Sequence, residues 1–321
     1  MTGKIRWAAA GAAIVFAAAA AAQAPTVGFA TLQPGTLLNA QASVIAKVVQ
    51  DHTKLQVRVI GHGGDTGIID AVNSKQADFL LLDVGEPAEA MKGENVWKGN
   101  PKPNIRLAMS LYGFQMAFWV RKDSPIQSIA DLKGKSIPSD WVQQTSVITH
   151  LNALLAAGGV TLNDVKKVPT VNVIRASEDF KSGKIDVFFF AVGAPKVQEI
   201  SAAVGGLRVL SMEILPDSEQ RMKKIRPEYY FSTVNPAPHI AGIDKPTKVQ
   251  TIDFIVGVGT HVKDEVVREF IKAVQENKKS LVEGHPNFNA FDPSHAGKRQ
   301  ARLPFHPAAE KYWKEAGLLG K

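Results

Sequence analysis

The residues best equipped to hold a small molecule lie in short polar runs that follow apolar segments. Gln33 to Thr36 brings backbone N–H groups to a helix start, where the macrodipole favours an anion, and Thr36 can also cap that helix. Gly61-His62-Gly63-Gly64-Asp65-Thr66 has the same placement after the next apolar run. Its glycines either admit a ligand to the backbone or simply turn the chain. His62, Gly63 and Thr66 are therefore candidate contacts, and Asp65 either caps the next helix or meets the ligand. Asp83 ends the apolar run Phe79 to Leu82, where it can orient a ligand donor or cap the following segment. Further on, Ser139-Asp140-Trp141-Val142-Gln143-Gln144-Thr145-Ser146 offers hydroxyls, amides and an indole. Ser139, Gln144, Thr145 and Ser146 are expected to hydrogen-bond a solute, while Trp141 forms an apolar wall or anchors its loop. Phe190 and Gly193 are expected to line the same cleft.

Catalytic chemistry is not visible. There is no Gly-x-Ser-x-Gly elbow, no His-Glu-x-x-His and no Gly-x-x-x-x-Gly-Lys-Ser/Thr phosphate loop, since Gly134-Lys135-Ser136 lacks the leading glycine. His285, His295 and His306 lack metal-ligand spacing, and the absence of cysteine removes thiol nucleophiles and thiolate zinc sites. The expectation is a binding protein without cofactor or metal, not an enzyme.

These runs need elements to position them. The chain has 321 residues, 45% hydrophobic and 21% charged, which is a globular composition with length for two domains. The formal charge is +8, but Lys4 and Arg6 precede an apolar run from Trp7 to Ala22. That order is the signature of a secretory signal peptide, residues 1–22 and alternatively to 24, and it implies export to the periplasm. The remaining excess charge is spread diffusely, without basic blocks or interleaved aromatics, so a nucleic-acid partner is not expected. The expected state is a monomer.

From Pro25 the pattern alternates apolar runs with helical periodicity. Val27 to Ala30, Leu55 to Ile60 and Phe79 to Leu82 read as strands, with helices over Asn39 to Asp51 and after Asp65. A second series has strands at Ser136 to Pro138, Val168 to Ile174, Ile185 to Phe190 and Leu207 to Leu210, with helices between them. Residues 216–246 read as a long loop, and Asp264 to Leu281 as one amphipathic helix. Two β-α series joined by extended crossings predict an α/β fold of two lobes. Each lobe is a mixed, mostly parallel sheet flanked by helices, with two hinge crossings. Residues 25–115 and 250–321 would form the first lobe and 116–249 the second. Ligands of open α/β sheets bind beyond strand carboxyl ends, so facing lobes make a cleft.

Several segments resemble the TAXI family of solute-binding subunits of TRAP transporters. The strongest is Arg302-Leu303-Pro304-Phe305-His306-Pro307-Ala308-Ala309-Glu310-Lys311-Tyr312-Trp313, similar to that family's closing segment. Val120-Arg121-Lys122-Asp123-Ser124-Pro125 with Asp131-Leu132-Lys133-Gly134-Lys135 is a pattern shared by many two-lobed periplasmic binding proteins. Gly183-Lys184-Ile185-Asp186-Val187-Phe188-Phe189-Phe190 and Ala77-Asp78-Phe79-Leu80-Leu81-Leu82 resemble strands of the family. The cleft loops depart from it: Gly35-Thr36-Leu37-Leu38, Asp65-Thr66-Gly67-Ile68 and Gln144-Thr145-Ser146-Val147 stand where members usually carry other runs. The resemblance implies a type II-like periplasmic binding protein and an extracytoplasmic receptor that hands its solute to TRAP permease subunits. The polar cleft and basic charge point to a small organic anion, either a carboxylate or an acidic amino acid. An ABC-type substrate-binding protein, or a periplasmic ligand-sensing partner of a sensor kinase, is the alternative.

Overall fold

The computed structural model describes residues 24–212 and 215–321. The expected signal peptide lies outside the described residues. Among those described, no helix is long and apolar enough to cross a membrane.

The first β-α series forms β1 (Thr26–Leu32), α1 (Leu37–His52), β2 (Gln56–His62), α2 (Asp65–Asn73) and β3 (Phe79–Asp83). β3 is buried at every position, because helices cover both faces of its sheet. β1 pairs in parallel with β2 and with β3. Helix α3 (Gly85–Lys92) then leads towards β4 (Ile105–Arg121), a strand of 17 residues. The second series contains β5 (Ser136–Ser139), α4 (Val147–Ala157), β6 (Lys166–Pro169), α5 (Val173–Lys181), β7 (Phe188–Ala191), α6 (Pro195–Ala203) and β8 (Leu207–Val209). After it come α7 (Ser218–Ile225), β9 (Tyr230–Val234), β10 (Thr247–Gly259), α8 (Asp264–Glu276), α9 (Lys278–Gly284) and α10 (Pro307–Glu315).

The long strands β4 and β10 run antiparallel and carry one sheet from lobe to lobe. Its order is β2-β1-β3-β10-β4-β7, with β8 also on β4 and β9 also on β10. β10 meets β3 through Phe254 to Val258 and β9 through Thr247 to Thr251, so its two ends serve different lobes. β4 meets β7 at Met116 to Trp119 and β8 at Trp119 to Arg121. β5 and β6 form a separate parallel pair. The fold is two-lobed and mixed α/β, as the alternating pattern predicts, but not mostly parallel. Every strand pairing of β4 and β10 is antiparallel, because these two strands run in opposite directions between the lobes.

Each lobe buries its own aromatic core. In the first, Phe270 of α8 stacks on Phe79 with ring centroids 4.1 Å apart. In the second, Phe188 packs between Trp119 and Phe180. The closing segment is structural: Trp313 Nε1 donates to the Ala108 carbonyl at 2.9 Å, and His306 caps α10.

Three further expectations change. The strand read over Val168 to Ile174 stops at Pro169, because the Asn172 side chain accepts from Arg175 N and starts α5. Residues 216–246 contain α7 and β9. Only Ser218 and Met222 of α7 are buried, too few to show a helical period. The helix read over Asp264 to Leu281 breaks at Asn277, whose side chain donates to the Ala273 carbonyl at 2.8 Å.

Candidate functional site

Asp83 closes β3, and α3 begins two residues later, so Asp83, Glu86 and Glu89 follow one another at three-residue spacing. All three are buried, at 3%, 4% and 3% exposure. Asp83 Oδ1 accepts from Gly85 N at 2.8 Å, which fixes the turn into α3. From the next strand-to-helix junction, Asp65 occupies the first residue of α2, with Gly64 as the cap. Asp65 is 2% exposed, and neither of its carboxylate oxygens has a hydrogen-bond partner within 3.5 Å among the described residues, although Ser146 lies near enough to favour its ionised form.

The second lobe brings Ser146, the N-cap of α4, with His150 one turn into that helix, and Arg226 with Tyr229 just beyond α7. Ser146 Oγ donates to Glu86 Oε1 at 2.5 Å. His150 Nε2 is 3.2 Å from the same oxygen and 3.5 Å from Asp83 Oδ2. The other ring nitrogen of His150 is 2.7 Å from the Tyr229 hydroxyl. The Arg226 guanidinium donates twice to Glu89 Oε1, at 3.0 and 2.8 Å, and once to Tyr229 at 3.2 Å. These contacts join the lobes, which are closed on each other. Backbone contacts at the cleft edge agree: Lys196 N donates to the Gly35 carbonyl at 3.1 Å, and Asn287 donates to the Val192 carbonyl at 3.1 Å.

The closed cleft keeps a cavity of about 50 Å³. Asp65, Asp83, Glu86 and His150 form its polar side, and Leu32, Phe114, Met116, Phe189 and Phe190 lie on its apolar side. Burial disfavours ionised carboxyls. It pushes Asp83 up to about 7, with the charge of Glu86 adding to the effect. Asp65 and Glu86 are raised in the same direction by burial, and Asp65 further by its neighbour Glu86. Burial lowers His150 to about 4, so its imidazole is neutral at neutral pH. Beside four buried carboxyls, Arg226 is the one buried guanidinium or ammonium of this network among the described residues.

Of the candidates from sequence, Thr36, Asp65, Asp83, Gln144 and Phe190 line the cavity. Ser146 reaches it through Glu86. Thr36 is held as the cap of α1, accepting from Asn39 N at 3.2 Å, and Gln144 accepts from Val173 N at 2.8 Å. Gly63 packs against the Gln143 side chain and Gly193 against Asn287, so both sit at lobe-to-lobe contacts outside the cavity wall. Gln33, His62, Thr66, Ser139 and Thr145 are not part of the wall. Gln33 serves α1, its carbonyl accepting from the Thr36 hydroxyl at 2.8 Å. His62 packs over Gly67. The Ser139 hydroxyl donates to Asp140 at 3.2 Å. Trp141 is the clearest change: it is 1% exposed and belongs to the lobe core. An indole gains more from full desolvation there than from half-exposure in a loop.

The sequence reading missed Glu86, Glu89, His150, Arg226 and Tyr229. The Asp83-x-x-Glu86-x-x-Glu89 spacing directly after an all-apolar strand was a usable signal, since carboxylates three apart share a helix face. His150 on the apolar side of α4 was another. Arg226 carried none, because its partner Glu89 is 137 positions away.

Two lobes linked by β4 and β10, closed over a cleft at strand carboxyl ends, define the periplasmic-binding-protein class. The chain belongs to the NMT1-like family, whose model matches residues 35–317. Solved structures share the fold at low identity. One described as a periplasmic transporter is 14% identical with a TM-score of 0.58, covering 92% of this chain and 94% of that one. The R. palustris protein Rpa4515, solved with adipate, is 16% identical with a TM-score of 0.56, covering 92% and 94%. A Bordetella bronchiseptica protein is 15% identical with a TM-score of 0.51, covering 90% and 88%.

Proposed function

We propose that this protein is an exported solute receptor that closes its lobes over a small solute carrying a positive charge. One observation carries the reading: Asp65, Asp83 and Glu86 face the cavity together, while Arg226 is already bound to Glu89 and Tyr229. Buried carboxyls in such number require protons or a cation. The organic anion expected from sequence would meet no free counter-charge there. The apolar side, with Phe114, Phe189 and Phe190, suits the hydrocarbon part of an organic solute. Its volume is far below the roughly 300 Å³ of ordinary ligand pockets, so entry requires the lobes to part about β4 and β10. Solute contacts to both lobes then favour the closed form. The partner is a membrane permease, of the TRAP type implied by the closing segment from Arg302 to Trp313.

A thermal-shift screen tests this. Cationic solutes such as amines, guanidines and divalent metal chlorides are expected to raise the melting temperature, with the logarithm of their concentration over Kd. Dicarboxylates, including the adipate found with Rpa4515, are expected to leave it unchanged. Stabilisation by dicarboxylates alone would overturn the reading. Uptake that survives loss of an ion gradient but stops without ATP would replace the TRAP partner with an ABC permease.

A further inference from the structure

Resting on the receptor reading above, we propose that the cation taken by the cleft is a divalent transition-metal ion held by Asp83, Glu86 and His150. The three side chains come from the end of β3, the first turn of α3 and the second lobe's α4. One donor atom from each lies within 4.8 Å of the others, and all three residues are buried. His150 Nε2 stands 3.2 Å from Glu86 Oε1 and 3.5 Å from Asp83 Oδ2. Ligand atoms on metal bonds of about 2.0–2.1 Å, set at tetrahedral angles, are roughly 3.3 Å apart. The observed separations are those of neighbouring ligands around one ion. An imidazole with carboxylates suits zinc or manganese better than calcium or magnesium, which take oxygen ligands.

The surroundings hold each donor in place. Asp83 spends Oδ1 on Gly85 N and leaves Oδ2 towards His150. The Ser146 hydroxyl fixes Glu86, and Tyr229 sits 2.7 Å from His150 Nδ1. A metal on Nε2 requires the proton on Nδ1, which then donates to the Tyr229 oxygen. Outer hydrogen bonds of this kind orient metal ligands.

Asp65 supplies an independent observation. Its carboxyl lines the same cavity, is almost fully buried, and has no hydrogen-bond partner within 3.5 Å on either oxygen among the described residues, with only Ser146 near it as a donor. It lies outside the three-donor cluster and fits as acceptor for a metal-bound water. The charges agree, because a dication added to Arg226 brings the four buried carboxylates close to balance. So does the size: a cavity of about 50 Å³ accommodates an ion with a few waters, each needing ~10–15 Å³. Since the ligands belong to both lobes, the ion also favours closure.

The test uses the whole exported protein after stripping with EDTA. Zinc and manganese chlorides, calcium and magnesium chlorides, and a panel of organic amines are compared by thermal shift. Metal content after reloading is read by plasma mass spectrometry. The expected results are about one zinc or manganese per chain, a melting rise reversed by EDTA, and loss of that rise in Glu86→Gln and His150→Gln. The stoichiometry of the unaltered protein keeps the test decisive should a variant fail to fold. Stabilisation by amines but not by transition metals overturns the metal and leaves the receptor reading standing. A metal response that persists in both variants also overturns it. Stabilisation by organic anions alone removes both.

Discussion

Gly64 of the first lobe and Gln143 of the second meet so closely that a β-carbon on Gly64 would lie 1.6 Å from the Gln143 carbonyl oxygen. The Gly64 backbone, with φ −162°, is extended and open to any residue. A side chain there therefore does not strain its own lobe but obstructs closure. Gly64→Ala is expected to fold with near-normal stability and to weaken solute binding by about ten-fold or more, worth ~1.4 kcal/mol per factor of ten. Small-angle scattering in saturating solute should show the variant more open than the unaltered protein. Unchanged affinity would mean that this contact is not part of the closed state.

Arg226 is buried against Glu89, from the opposite lobe. Arg226→Met removes the charge but leaves Glu89 without its counter-ion, which costs roughly 3–5 kcal/mol in such sites. Denaturant unfolding should show that loss. The double variant Arg226→Met with Glu89→Met is expected to recover most of it, because no buried charge is then unpaired. Equal stability of the single and double variants would contradict the account.

Trp141 belongs to the core rather than to the cleft. Trp141→Ala is expected to cost about 3–5 kcal/mol in stability. At a temperature where the variant stays folded, its affinity for the solute should be unchanged. A selective loss of affinity with full stability would return the indole to the binding site.

Stability without metal should depend on pH with a definite sign. Asp83 is raised to about 7 by burial, and Asp65 and Glu86 shift the same way, whereas carboxyls in an unfolded chain ionise near 4. From about pH 4 upward the folded chain holds more protons than the unfolded one, so this contribution is lost as pH rises through the folded values. His150 acts oppositely: its folded value is about 4 against 6.5, so its contribution is lost as pH falls below 6.5. Above about 6.5 only the carboxyls act. The melting temperature in EDTA is expected to decline from about pH 6.5 to pH 8. A rise across that interval would contradict the raised carboxyls.

The lobes were legible because their signals are local. The all-apolar run Phe79 to Leu82 announced a strand, and β3 is buried at every position. Strand-end positions were also readable, which is why Thr36, Asp65, Asp83, Gln144 and Phe190 reach the cavity. What sequence could not show is the pairing across lobes. Glu86 meets Ser146 and His150 over 60 and 64 positions, and spacing along the chain carries no record of such contacts. The basic net charge pointed towards an anion, yet the acidic groups converge on the cleft while the basic ones stay largely at the surface. Net charge reports on the surface, not on a buried site.

The central claim is that a positive charge is held between the lobes by Glu86 and its neighbours. Calorimetric titration of the most stabilising cationic solute, organic or metal, into the unaltered protein and into Glu86→Gln tests it most directly. Affinity is expected to fall by at least about ten-fold in the variant, with about one site per chain in the unaltered protein. Equal affinity in the two proteins, or binding confined to organic anions, would contradict it.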